Sequence, residues 1–362
     1  MAPNSLETSP ESDRFENTPH PRESYYCFGH AATESEFIRS YLSGHLPQAF
    51  TVGGPPGVGK ATLAWRLARF LLANPDPAAA AGEARANLFV APDHPVACQI
   101  AAMAHPDLVH LRREWNEKDK RFFTEIRVED VRRAIHMFQQ AAGRGGYRIC
   151  MLDCAEDLNP SSANALLKLI EEPPPRSLFL IVAHRPGRML ATLRSRCRKV
   201  LLKPLAAADI GQVVAALGPP WSAAGETKLE VAIARADGSI HNVLRLLDDR
   251  GIELDTNLGR MLDDLPRIDW SKVHALADRV TVRTNGKDYE TMLAAIDAWL
   301  DARVRRGALR PEANCARLAP YALVWEKLNE AARETETFNL DKRPFVLSLF
   351  ADLAAAARAS SF

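Results

Sequence analysis

The chain has no apolar run approaching the length of a membrane span, and no internal repeat. It also lacks a pronounced charge of either sign: 46 Lys and Arg against 45 Asp and Glu leave a net +1. A near-zero balance excludes a strong overall field drawing in nucleic acid, while leaving room for a local basic patch. The six cysteines, at 27, 98, 150, 154, 197 and 315, are too scattered for a disulfide framework, which points to a reduced, cytoplasmic setting. Residues 1–23 are rich in Pro, Ser, Glu and Asn and have no apolar segment of the kind a secretory signal needs, so they are expected to form a flexible leader. What remains is ordinary for a soluble globular protein: 47% apolar and 25% charged residues in 362 positions, enough for two or three domains.

Residues 24–205 alternate short apolar runs with helical patterns. Ala49–Val52, Leu108–Leu111, Arg148–Asp153, Leu178–Ala183 and Lys199–Leu202 are expected to be strands, with helices over Val128–Ala142 and Ser161–Ile170. That order predicts an α/β fold, a parallel sheet with helices on both faces. Asn74–Ala84 and the charged Arg112–Lys120 read as loops. From Ala206 the pattern turns purely helical, with a small unit over 206–265 (Ala207–Leu217, Leu229–Ala236, Ser239–Asp248) and an all-helical region over 266–362 (Val273–Thr281, Tyr289–Arg305, Ala319–Thr335, Phe345–Ala357).

The chemistry begins at residues 53–62, Gly-Gly-Pro-Pro-Gly-Val-Gly-Lys-Ala-Thr. A phosphate-binding loop requires Gly, four residues, Gly-Lys and then Ser or Thr, set between a strand and a helix. Gly54, Gly59 and Lys60 satisfy it, Gly57 and Val58 lie inside the turn, and the helical run Leu63–Leu72 follows. Glycines let backbone N–H groups close around a phosphate and the lysine adds a mobile cation. The hydroxyl that would ligate Mg²⁺ is replaced by Ala61. Thr62 is no substitute, since it is turned by about 100° around the helix axis. Downstream, the apolar strand Tyr147–Leu152 ends in Asp153, the type of carboxylate that helps hold such a metal. Where a hydrolysing relative would carry Glu to activate water stands Cys154, a weak acceptor. Glu156 and Asp157 need an unusual loop to reach the site. The loop is thus expected to hold ATP or ADP, without strong Mg²⁺ coordination, or to descend from one that did.

The run Asn164-Ala-Leu-Leu-Lys-Leu-Ile-Glu-Glu-Pro-Pro174, with Ser195-Arg196-Cys197, resembles bacterial DNA polymerase III clamp-loader subunits of the AAA+ class, and most of all their delta prime branch. His105-Pro106-Asp107, Ile126–Arg132 and Asn339-Leu340-Asp341 strengthen the likeness, which covers nearly the whole chain after residue 20. The resemblance implies an AAA+ nucleotide-binding-like domain (24–205), a small helical lid (206–265) and a helical collar for oligomerisation (266–362). It implies a ring with motor subunits of the tau/gamma type and the delta subunit, acting on a sliding clamp and primed DNA. It also implies that Arg196 projects into a neighbouring subunit's nucleotide site as an arginine finger.

Departures from the motor pattern are as informative. Ala183-His184 stands where motor members carry Thr or Asn to sense the γ-phosphate, and Gly238-Ser239-Ile240-His241 puts histidine where their lid carries arginine. With Ala61 and Cys154, four catalytic positions are compromised, and intrinsic hydrolysis is expected to be negligible. Many relatives bind zinc through four cysteines after the phosphate-loop helix. This region offers only Cys98 with His94 and His105, so zinc is not expected. Lys118-Asp119-Lys120-Arg121 and the cluster Arg303, Arg305, Arg306 and Arg310 read as solvated charge before DNA contacts, and Trp299 and Trp325 read as core anchors. Two alternatives stay open: an active tau/gamma-type motor ATPase, and an unrelated phosphate-loop kinase of small substrates.

Overall fold

The computed structural model describes residues 11–12, 14–78, 87–140, 146–248, 251–281, 286–308, 315–338 and 340–360. The backbone divides into two compact units, Met1–Val243 and Leu244–Phe362. The small helical unit expected over 206–265 thus contributes to both, because the divide falls inside the helix Ile240–Leu247.

The first unit is built on a parallel sheet. Its strands are β1 (Ala49–Gly53), β2 (Leu108–Leu111), β5 (Arg148–Leu152), β6 (Ser177–Ala183) and β7 (Arg198–Leu201), in the order β2-β5-β6-β1-β7. Two-residue strands β3 (Trp115–Asn116) and β4 (Arg121–Phe122) pair antiparallel in a segment expected to be a loop. Every residue of β1, β5 and β6 is buried, as strands covered on both faces must be. Alternate side chains serve opposite layers. Phe50, Val52, Ile149, Met151, Leu178, Leu180 and Val182 pack with the helices Ala31–Leu42 and Lys60–Ala73. Cys150, Leu152, Phe179, Ile181 and Ala183 pack with the helices Val128–Gln139, Pro160–Glu171 and Ala191–Arg196 on the other face. The expected α/β fold with helices on both faces is therefore present.

Among the described residues β7 forms one border of the sheet, paired with β1 alone. Arg198 and Lys199 are exposed there, and Leu201 is 68% exposed.

The leader departs from expectation where it is described. His20 is fully buried, and its Nδ1 accepts the Arg22 N–H while its own N–H donates to Glu23, closing a capping box on the turn Pro21–Glu23. Glu11 pairs with Arg22 at 2.6 Å and with Arg112 at 3.0 Å. These few polar contacts order a segment whose composition promised none.

The second unit is helical: Gly251–Asp263, Trp270–Thr281, Gly286–Ala308, Cys315–Phe338 and Lys342–Ser360. Leu258, Met292, Ile296, Leu300, Phe350 and Leu353 form its own core. Gly251–Asp263 has no counterpart among the expected helices.

Candidate functional site

The turn after β1 needs its glycines. Gly54, Gly57 and Gly59 have φ of 144°, 74° and 92°, conformations that side chains resist. A Cβ on Gly54 would stand 2.7 Å from the Leu202 carbonyl oxygen. One on Gly57 would stand 2.3 Å from Ser239 Oγ and 2.6 Å from His241 Cβ. The apex of the loop thus lies against the Gly238-Ser239-Ile240-His241 segment, and the Ile240 N–H donates to the Gly57 carbonyl at 2.9 Å. Gly238, itself at φ 76°, is required because a Cβ there would meet Pro204 and the Leu205 backbone. Val58 is fully buried, and its carbonyl accepts from His30 Nε2 at 2.7 Å, a partner that nothing in the sequence announced.

Lys60 opens the helix Lys60–Ala73, with its ammonium folded back onto the loop. Nζ donates to the carbonyls of Gly54 at 2.8 Å and Pro55 at 2.6 Å. The side chain is buried, and desolvation pushes its pKa down to about 8 against the opposing pull of Asp153, Cys154 and Glu156. Ala61 packs against the core on that face of the sheet, and both Ala61 and Thr62 are half-buried.

Asp153 is buried directly after β5 and its N–H donates to the Leu111 carbonyl at 2.8 Å. The next turn, Ala155–Asp157, is the kind of loop that Glu156 was expected to need, and it brings this carboxylate close enough to act on Lys60. Glu156 accepts from the Cys154 thiol and from the Arg185 N–H. Burial, with Glu156 adding to it, drives the Cys154 thiol well above its usual range, so it stays protonated. His184 joins the group: desolvation first, then Lys60, lowers its pKa, while Glu156 opposes. As a residue His184 still keeps surface open to solvent, so these neighbours crowd it without enclosing it. Loop, Asp153, Cys154, His184 and His241 are therefore brought together, and Glu156 and His30 complete the surroundings.

Arg196 is positioned differently. It ends the helix Ala191–Arg196, whose Leu193 packs on the opposite face of the sheet from the Lys60–Ala73 helix. Its side chain is 39% exposed, forms an ion pair with Glu171 and donates to the Thr192 carbonyl at 2.9 Å. Cys197 is the buried spacer beside it, its thiol donating to the Leu193 carbonyl.

The remaining candidates resolve into local structure. His94 Nδ1 caps the helix Pro95–Ala101 by accepting the Val96 N–H, and His105 Nδ1 accepts the Asp107 N–H. Cys98 is exposed. Among the described residues no group of three or more His, Cys, Asp or Glu could hold a metal ion. Lys120 pairs with Glu117, Arg305 with Asp301, and Arg303 lies over the Trp299 and Tyr321 rings, while Arg310 falls outside the described residues. No described helix is long and apolar enough to cross a membrane.

Residues 29–206 match the protein family described as "DNA polymerase III, delta subunit". Over 202 residues the chain is 36% identical to DNA polymerase III subunit delta' of Pseudomonas aeruginosa, covering 55% of each chain. Over 171 residues it is 33% identical to the Escherichia coli subunit delta', covering 47% of this chain and 46% of that one. The E. coli subunit tau is 32% identical over 126 residues, 34% of this chain and 20% of tau. The matches to delta' thus span about half the length of those relatives. A DNA polymerase III gamma subunit-related protein of Thermotoga maritima aligns over 91% of this chain and all of its own at 11% identity and a TM-score of 0.38. So loose an alignment carries no argument.

Proposed function

We propose that this chain, which is similar over about half its length to DNA polymerase III subunit delta', is a member of that family and serves as the non-motor AAA+ subunit of a clamp loader. In this reading it works in the cytoplasm beside motor subunits of the tau/gamma type and a delta subunit, and helps the assembly place a sliding clamp on primed DNA. Its own phosphate loop contributes no turnover. Its exposed Arg196 is donated to the nucleotide site of a neighbouring motor subunit.

One contrast carries the proposal: the cation of the chain's own loop is buried and held by the Gly54 and Pro55 carbonyls, whereas Arg196, although paired with Glu171, stands 39% exposed at a helix end. A guanidinium supplied in trans stabilises charge growing on γ-phosphoryl oxygens and is worth about 10³–10⁵ in rate. Such a subunit stays necessary after losing its own chemistry. Ala61 offers no metal-ligating hydroxyl and the protonated Cys154 cannot act as a base. Gly54, Gly57, Val58, Gly59, Lys60, Ala61, Thr62 and Asp153 are accordingly a vestigial nucleotide site, able at most to hold ATP or ADP without strong Mg²⁺ coordination. Zinc has no role.

The test is reconstitution of the full chain with motor and delta subunits. Arg196→Ala should lower hydrolysis at the served site by about 10³-fold, while the assembly elutes unchanged on size exclusion. Undiminished DNA-stimulated turnover would remove the trans role. Mg²⁺-dependent turnover by the isolated chain would instead favour the motor reading.

A further inference from the structure

We propose that residues 14–20 form a clasp holding the start of the Ile240–Leu247 helix shut on the phosphate loop, and that nucleotide reaches the loop only when the clasp lets go. The loop and the helix start leave no space between them at Gly57, where a single added methyl would collide with Ser239 and His241. The Ile240 N–H bonded to the Gly57 carbonyl fixes that closure.

The leader lies on the outer side of the same helix start. Phe15 stands edge-on to the His241 ring at 5.0 Å and meets Trp221 at 5.9 Å. Trp221 is buried, and its indole N–H donates to the Asn17 carbonyl at 2.9 Å. Arg14 Nε donates to the Thr18 carbonyl, which braces the turn between.

The other end of the clasp is anchored on the loop's own helix. His20 is fully buried and its ring meets Trp65 edge-on at 6.1 Å, five residues along from Lys60. One short segment therefore grips both parts that must separate for the apex of the loop to open: Trp65 on the loop side, and His241 with Trp221 on the lid side. Ser12 Oγ, donating to the Arg113 carbonyl, and the Glu11 pairs with Arg22 and Arg112 tie it further to the sheet. A polar leader with no constraint on it would have no reason to place its one described phenylalanine on this ring pair.

The inference is independent of the role of Arg196, since it concerns admission to this chain's own loop. Its test uses the full chain with Phe15→Ala, native-state hydrogen exchange, and binding of a fluorescent ADP analogue. The Ile240 amide is the reporter, because its partner is the loop carbonyl. In the variant its exchange should rise about tenfold, while amides of β5 and β6 keep their wild-type rates. The ADP analogue should bind at least fivefold more tightly than to wild type, and adding Lys60→Ala should abolish that gain. A chain beginning at Glu16 should behave as Phe15→Ala does. Unchanged Ile240 exchange in the folded variant overturns the clasp. Faster exchange with no gain in affinity overturns its control of nucleotide entry.

Discussion

Lys60 carries a charge into a place with little water, where its ammonium is held by two backbone carbonyls. Its folded pKa, near 8, lies below the ordinary 10.5 because desolvation outweighs the nearby acids. Between those two values the unfolded chain holds a proton that the folded chain has shed, so stability rises with pH across about 8 to 10.5. Below about pH 8 both states are protonated and the contribution is constant. Urea unfolding at pH 7.5 and 9.5 should show this gain in wild type, and Lys60→Met should lose it. At this scale the sequence revealed what is contiguous. The glycines, Lys60 and the missing hydroxyl at Ala61 sit within one turn and could be read directly. His30 and Phe15 could not, because each arrives through space from another segment, and the placing of Glu156 hung on a local turn. Glu156 is the clearest case: whether a carboxylate two residues past a thiol points in or out depends on the turn Ala155–Asp157, which no spacing rule dictates.

Between elements, the most consequential polar contact is the pair Glu34–Arg66. It ties the helix Ala31–Leu42 to the helix Lys60–Ala73, with Arg66 Nε donating to Glu34 at 2.7 Å and both side chains about 5% exposed. Glu34 also accepts the Leu88 N–H at 3.3 Å. Removing one member strands the other charge without water, so Glu34→Ala should cost about 3–5 kcal/mol in urea denaturation. Glu34→Ala with Arg66→Met should recover much of that loss. The inner strands β1, β5 and β6 were legible because burial on both faces makes each a mostly apolar run. β3 and β4 were not, since two residues among charges carry no period. The ordered part of the leader was missed for a related reason. A composition poor in apolar residues ordinarily stays solvated, but a capping box at His20 and one buried ion pair suffice here.

Across the whole molecule, each unit has a core of its own, so the chain is not one cooperative block. Phe350 is 1% exposed in the core of the second unit. Phe350→Ala should destabilise that unit by about 3–5 kcal/mol. Hydrogen exchange should then quicken at residues 346–357 while β5 and β6 keep their protection, and a single two-state fit to the full chain should fail. Helical periodicity foretold this unit's helices from Trp270 onward, but not Gly251–Asp263, and it did not show where the backbone divides. The division lies within the helix Ile240–Leu247, where apolar spacing runs on unbroken.

The charged border at β7 has a bearing on how the protein tolerates crowding by its own copies. An open sheet margin offers hydrogen bonds to any stray strand, and Leu201 adds an oily invitation. Arg198, paired with Glu36 at 3.2 Å, and Lys199 answer it: two such margins drawn together would have to bury charged side chains from both copies. Fibre-like growth through this side of the sheet is thereby discouraged at its first step.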